Sequence, residues 1–410
     1  MKKVLQVTLG ILTAIGGFVD IGDLVANAAA GARFRMNLAW VVVVGVIGIV
    51  VYAEMSGRVA AMSSRPVFEL VRERLGPRAG LVNLVASFFI NFLTLTAEVA
   101  GVAIAVSLVA SVSYALLLPF AAVLVWLVIW RMPFEWMERV FGLLGLALAV
   151  FLVTVWKAGP DWGALFDAAA SPHVPAGESG FSYAYFGIAL FGAAMTPYEV
   201  FFFSSGAVED RWTPRDLALN RANVYIGFPL GGLLSLAIMA SAHLVLAPRG
   251  VSVDDLAQVA LPVAVVVGKL GLAAALVGIF AATFGAALET ALSAGYSLSQ
   301  YLGWQWGKFV APRNAARFHT TLLAAIVVGA VIGMSGVDPV KVTEYSIVLS
   351  AAALPLTYLP IFVVANDPQF MGGQANGRLA NTLGTIYLVL LSVVSLAAIP
   401  LIVITKGGAG

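Results

Sequence analysis

Apolar residues run through the chain in long blocks separated by short polar clusters. A helix needs roughly 20 apolar residues to cross a hydrocarbon core. Eleven stretches meet that length, at 6–29, 37–56, 80–105, 114–130, 137–156, 181–205, 223–247, 270–298, 319–335, 344–364 and 380–404. The pattern predicts an all-α polytopic membrane protein of about 11 transmembrane helices. Two blocks are interrupted near their middle. In the first, Gly16-Gly17 precede Asp20-Ile21-Gly22-Asp23, and glycine weakens a helix. In the sixth, Gly192-Ala193-Ala194-Met195-Thr196-Pro197 ends in a proline that removes a backbone donor and frees carbonyls one turn earlier.

Spans one to five and six to ten are equal in number and opposite in direction, with a break in the first helix of each set. That arrangement predicts one transmembrane domain over 1–410, built as a 5+5 inverted repeat with broken helices 1 and 6. Repeat 1 covers about 6–156, repeat 2 about 181–364, and an extra helix about 380–404. The connections, 57–79, 157–180 and 206–222 among them, are too short for a soluble domain. Within the last of them, Thr213-Pro214 predicts a helix start.

Composition sharpens the class. Charged residues make up 11% of the 410 and hydrophobic ones 61%, which excludes an ordinary soluble domain and a disordered chain. A net charge of +2 gives no basic field for nucleic acid, and the absence of cysteine excludes thiolate metal sites. Any metal chemistry is thereby narrowed to hard cations on oxygen ligands. Of the 23 Lys and Arg, only Arg33, Arg35, Lys157, Arg249, Lys269, Lys341 and Lys406 fall on one side of the predicted topology. The excess belongs inside, so the N-terminus is expected in the cytoplasm and the C-terminus outside a plasma (inner) membrane. Lys2 and Lys3 precede no cleavage site and are not read as a signal peptide.

Five acids lie within the spans: Asp20, Asp23, Glu98, Glu199 and Glu289. Each costs on the order of 2.5–3.5 kcal/mol at a helix centre, and no Lys or Arg lies deep in those spans to neutralise them. Uncompensated carboxylates there imply a visiting cation or protonation. Other roles compete. Asp20 and Asp23 suit a helix cap, Thr196 suits packing, and Glu98 suits a bond to Asn91 or Thr94. Glu289 sits among small residues that favour a structural role, Asn27 and Ser350 read as packing polar groups, and Glu54 and Glu344 are placed to reach headgroup water.

These residues resemble a known family. Asp20-Ile21-Gly22-Asp23 is similar to the Asp-Pro-Gly-Asn motif in the first helix of Nramp divalent-metal transporters, and Thr196-Pro197-Tyr198 stands where they have Met-Pro-His. Ala97-Glu98-Val99-Ala100-Gly101 resembles their third helix, and Val348-Leu349-Ser350 with Leu354-Pro355 their tenth. The resemblance implies a leucine-transporter-like fold, alternating access and a transported divalent ion, with no resident cofactor and no enzymatic activity. It places the metal ligands at Asp20, Asp23, the Ala193 carbonyl and Thr196, with Glu199 as an acceptor for metal-bound water. Glu98 and Tyr198 become the gating or proton-linked candidates.

The departures matter. A sulfur ligand has been replaced by a hydroxyl and an amide by a carboxylate, which suits Mg²⁺, Ca²⁺ and Mn²⁺ better than late transition metals. Losing the methionine is expected to leave room for the waters that Mg²⁺ retains. This is the pattern of the Nramp-related magnesium transporter branch. Tyr198 and Phe203 stand where the family has histidines, Leu95 stands where it has an acid, and His173, His243 and His319 lie in loops or near span ends. Entry of Mg²⁺, and also of Mn²⁺, without obligatory proton coupling is the expectation. The competing readings are a proton-coupled Mn²⁺/Fe²⁺ symporter, a Na⁺-coupled carrier of amino acids, and an intramembrane protease using Asp20 and Asp23.

Overall fold

The computed structural model describes residues 10, 11, 15, 18–337 and 339–408. Every regular element among them is helical. The principal helices are α1 (Ile21–Phe34), α2 (Ala39–Ser63), α3 (Val67–Ala110), α4 (Tyr114–Arg131), α5 (Phe134–Gly145) and α6 (Val150–Ala158). After a connecting loop follow α7 (Gly180–Ala194), α8 (Pro197–Glu209), α9 (Phe228–Val245), α10 (Lys269–Leu302), α11 (Ala316–Met334), α12 (Pro339–Ala365) and α13 (Arg378–Thr405). Ten stretches among the described residues are long and apolar enough to cross a membrane, and they correspond to the second to eleventh predicted spans. Of the first span, α1 is the second half. Lys2, Lys3, Gly16 and Gly17 lie outside the described residues.

Both predicted breaks are present. The helical turn at Phe18 gives way at Val19 and Asp20 before α1 starts. α7 and α8 are separated by Met195 and Thr196. A third irregularity, a 3₁₀ turn at Leu146–Ala149 between α5 and α6, lies inside the fifth predicted span.

Three expectations change. The connection 57–79 is almost wholly helical: α2 runs on to Ser63 and α3 begins at Val67, leaving Ser64 in a left-handed conformation to turn the chain. Pro77 and the positive φ of Gly76 kink α3 four residues before its predicted start. Glu54 does not reach headgroup water. It is 9% exposed and paired with Arg58 one turn on, while Arg58 also donates to the Gln374 carbonyl and, at 2.7 Å, to Asn376. Finally, a short apolar helix, Leu256–Val266, begins on a capping box of Asp255 and Gln258 in a segment read as connection. The Thr213 start is present, capped reciprocally with Asp216.

The centre of the bundle is formed by α1, α3, α7, α8, α10 and α12, with α1 also packed on α9 and α12 also packed on α3 and α13. α4 and α13 sit at the periphery and turn large apolar side chains such as Phe120 and Leu396 outward. Trp40, Trp130, Trp136 and Trp156 are exposed, as an interfacial belt requires. Close approach of helices depends on glycine at particular points. A Cβ built on Gly31 of α1 falls 2.1 Å from the Met239 carbonyl of α9, and backbone cannot yield there.

Gly31→Ala is therefore expected to destabilise the protein by about 1–3 kcal/mol. Gly187→Ala, where the nearest atom is 3.7 Å away, is expected to be tolerated. Thermal unfolding of the two variants in detergent checks this, and equal melting temperatures would contradict it.

Candidate metal centre

The two breaks face one another across a small buried cavity. Pro197 has no N–H, so the Ala193 carbonyl four residues earlier lacks its helical donor. The Thr196 hydroxyl donates to that carbonyl at 2.8 Å instead of capping α8. Lone pairs remain on both oxygens.

On the facing break, Asp20 caps α1: its Oδ1 accepts from the Asp23 N–H at 2.8 Å. The other oxygen, Oδ2, accepts from the Tyr198 hydroxyl at 3.3 Å. A second orphan donor at this helix end, the Ile21 N–H, reaches Glu98 Oε1 of α3 at 3.0 Å. Glu98 is fully buried, and its Oε2 has no hydrogen-bond partner among the described residues. The alternative bonds expected for Glu98 are made elsewhere, since Asn91 donates to Ser293 and Thr94 shares a hydrogen bond with Ser346.

Asp20, Glu98, Ala193, Thr196 and Tyr198 all line the cavity. Thr94 and a stripe on α12, Thr343, Ser346 and Ser350, complete its polar wall. Ser350 is thus at the site rather than in packing. The α12 hydroxyls recur at helical spacing and were legible as one face. All polar side-chain atoms on the wall are oxygens. The Met195 sulfur lies against Gly48 of α2 instead. The free space is about 20 Å³, enough for roughly one water molecule. The room expected for a hydrated ion is therefore absent in this conformation, in which Ile347 and Tyr198 also close on the space.

Two expected site residues are elsewhere. Asp23 Oδ2 accepts from Ser235 of α9 at 2.6 Å, and its Oδ1 accepts from Asn27 at 2.9 Å. Ser235 gave no sign of this in the sequence, because the pairing spans 212 positions. The Glu199 carboxyl faces Glu289 of α10. No group of three or more His, Cys, Asp or Glu gathers as a metal cage among the described residues. His173 lies on an exposed loop, His319 lies against the Val310 carbonyl, and His243 is in the last turn of α9, so none lines the cavity.

Against known proteins, residues 10–400 match the model of the natural resistance-associated macrophage protein-like (Nramp) family. The chain belongs to the Nramp family. A divalent metal cation transporter MntH of Erwinia tasmaniensis is 27% identical over 392 residues, 92% of this chain and 89% of that protein. The fold is that of the manganese transporter of Eremococcus coleocola, with a TM-score of 0.73 at 19% identity over 97% of this chain and 87% of that one. It extends to MHP1, a nucleobase-cation-symport-1 family transporter, at a TM-score of 0.61 and 16% identity over 98% and 92% of the two chains. As an Nramp protein the chain is a multi-pass membrane protein, and its all-helical fold is the leucine-transporter-like one of its structural relatives.

Glu98→Ala is expected to cost about 1–3 kcal/mol by leaving the Ile21 N–H buried without an acceptor. Glu98→Gln keeps an acceptor oxygen and is expected to lose much less. Melting temperatures of both variants test the assignment, and equal losses would remove Glu98 from its capping role.

Proposed function

We propose that this Nramp protein carries divalent metal ions across the plasma membrane by alternating access, with Mg²⁺ the preferred ion and Mn²⁺ also carried. The single observation that supports it is the all-oxygen cavity between the two helix breaks, with Thr196 where the family resemblance puts a methionine. Carboxylate, carbonyl and hydroxyl donors suit Mg²⁺ and Mn²⁺. In this reading Asp20, the Ala193 carbonyl and Thr196 bind the ion. Asp23, now held by Ser235 and Asn27, joins them when the broken ends shift and the cavity widens to admit water. Glu199 serves ion-bound water only after it parts from Glu289.

The same reading places the N-terminus in the cytoplasm and the C-terminus outside, and relates 6–156 to 181–364 as inverted repeats. Transport is not obligatorily coupled to protons, because Tyr198 and Phe203 replace the histidines that would relay them. The membrane potential supplies about 2.3 kcal/mol per charge per 100 mV, doubled for a divalent ion.

A second reading, proton-coupled Mn²⁺/Fe²⁺ symport, is favoured by the names of the relatives and by the unpartnered Oε2 of Glu98. Purified protein in liposomes, with Mg²⁺ or Mn²⁺ flux and internal pH followed together, separates the two. Mg²⁺ entry without acidification is expected. Failure of Mg²⁺ to enter, with Mn²⁺ entry and matching acidification, would establish the second reading. Thr196→Met is expected to shift preference toward Mn²⁺ by roughly tenfold, the scale on which single groups around a metal tune affinity. An unchanged ratio would remove Thr196 from the ligand set.

A further inference from the structure

Past α13 the chain turns back onto the bundle. Lys406, Gly407 and Gly408 all have positive φ, 51°, 72° and 86°, a conformation that a lysine adopts only at a cost. Local bonds hold the turn: the Gly407 N–H donates to the Ile402 carbonyl at 2.9 Å, and the Gly408 N–H donates to the buried Thr405 hydroxyl at 3.1 Å.

The turn delivers Gly408 to a buried position against α7. A Cβ built on Gly408 falls 2.8 Å from Tyr185 Cε1, and one built on Gly407 falls 3.1 Å from the Tyr345 hydroxyl of α12. From the end of α1, Arg33 donates to the Gly408 carbonyl at 2.7 Å. The same guanidinium donates to Glu178, just before α7, at 2.9 Å and lies 5.4 Å from the centre of the Phe186 ring. Three helices, α1, α7 and α12, thus meet on one short tail.

Those helices also line the ion cavity, with Asp20 and Gly22 at the start of α1, Gly192 and Ala193 of α7, and Ser346 and Ile347 of α12. Ala193 lies about 12 Å along α7 from Tyr185 by helical rise. Both α1 and α7 end at a break, so each is free to tilt without its other half, and a tie at the far ends decides whether they part from α12. The hold suits release. It consists of one charge-assisted hydrogen bond to backbone and the flat sides of two glycines, with no inserted side chain, and water can take over such a bond. Solvent already reaches the Arg33 and Glu178 side chains, which are 31% and 21% exposed.

We propose that Lys406-Gly407-Gly408 is a strap that holds α1, α7 and α12 together and closes the cavity from the side where α1 ends, and that its release from Arg33 opens the cavity on that side. This inference rests on the reading of the protein as an alternating-access carrier and names the contact that must give way.

Because the chain has no cysteine, Ser346→Cys places a single thiol on the cavity wall. The test measures how fast a charged methanethiosulfonate reagent modifies it in the full-length purified protein, beside Mg²⁺ and Mn²⁺ flux of the unaltered protein in liposomes. Modification is expected to quicken several-fold when Gly408→Ala, whose added carbon does not fit against Tyr185, or Arg33→Gln is added, with cooperative thermal unfolding retained. Arg65→Gln, which breaks ion pairs to Glu69 and Glu73, is expected to leave the rate unchanged, and an equal rise there overturns the strap as a specific closure. Unchanged rates in both Gly408→Ala and Arg33→Gln overturn the strap and, with ion flux present, leave the carrier reading standing. A rise in Arg33→Gln without one in Gly408→Ala also overturns it, since closure then belongs to Glu178. No flux of either ion overturns both readings.

Discussion

A helix broken in mid-membrane exposes backbone groups that lipid cannot satisfy, and the centre of this molecule is organised by that requirement. At the start of α1 the donors are met by Asp20 and, from α3, by Glu98. At the end of α7 the Ala193 carbonyl is met by the Thr196 hydroxyl. Each carboxylate uses one oxygen on backbone and turns the other to the cavity side, where Asp20 meets the Tyr198 hydroxyl. Capping and ion binding are therefore two uses of the same groups, and the expense of an intramembrane acid is partly offset by the helix end that it completes.

Packing then determines how much room those groups leave. A Cβ built on Gly192 of α7 falls 2.8 Å from the Ile347 carbonyl of α12, so these helices meet nearly backbone to backbone beside the cavity. Both ends of the bundle are tied by arginine. Arg58 joins α2 to the segment before α13, and Arg33 at the end of α1 reaches Glu178 at 2.9 Å and the Gly408 carbonyl at 2.7 Å. With these contacts made, the cavity has room for about one water, which makes this the closed conformation of the proposed transport cycle.

Much of this was legible one residue at a time. Long apolar blocks identified the spans, Pro197 identified the sixth-span break, and Asp20 and Thr196 were each legible beside one of the two breaks. What stayed hidden depends on pairs far apart in the chain. Ser235 is an ordinary serine until α9 lies against Asp23, and Glu54 looked like an interfacial acid until Arg58, read as loop, proved to be buried in the same helix. Hydrophobic periodicity carries no information on which helix covers which face. Helix ends were misplaced for a related reason: α2 and α3 both extend past their apolar blocks through Arg58 and Glu69, whose charges are met by ion pairs and which a hydropathy window scores only as polar.

The five intramembrane acids divide by the kind of partner that each has found. Asp23 is satisfied within the protein by Ser235 and Asn27, at no charge compensation. Asp20 and Glu98 share one cavity wall. Glu199 and Glu289 face each other. Two neighbouring carboxyls in a medium that penalises charge are stabilised by a shared proton or by a cation between them. The arrangement of the acids in pairs, more than their number, is what fits this interior to a visiting cation or proton.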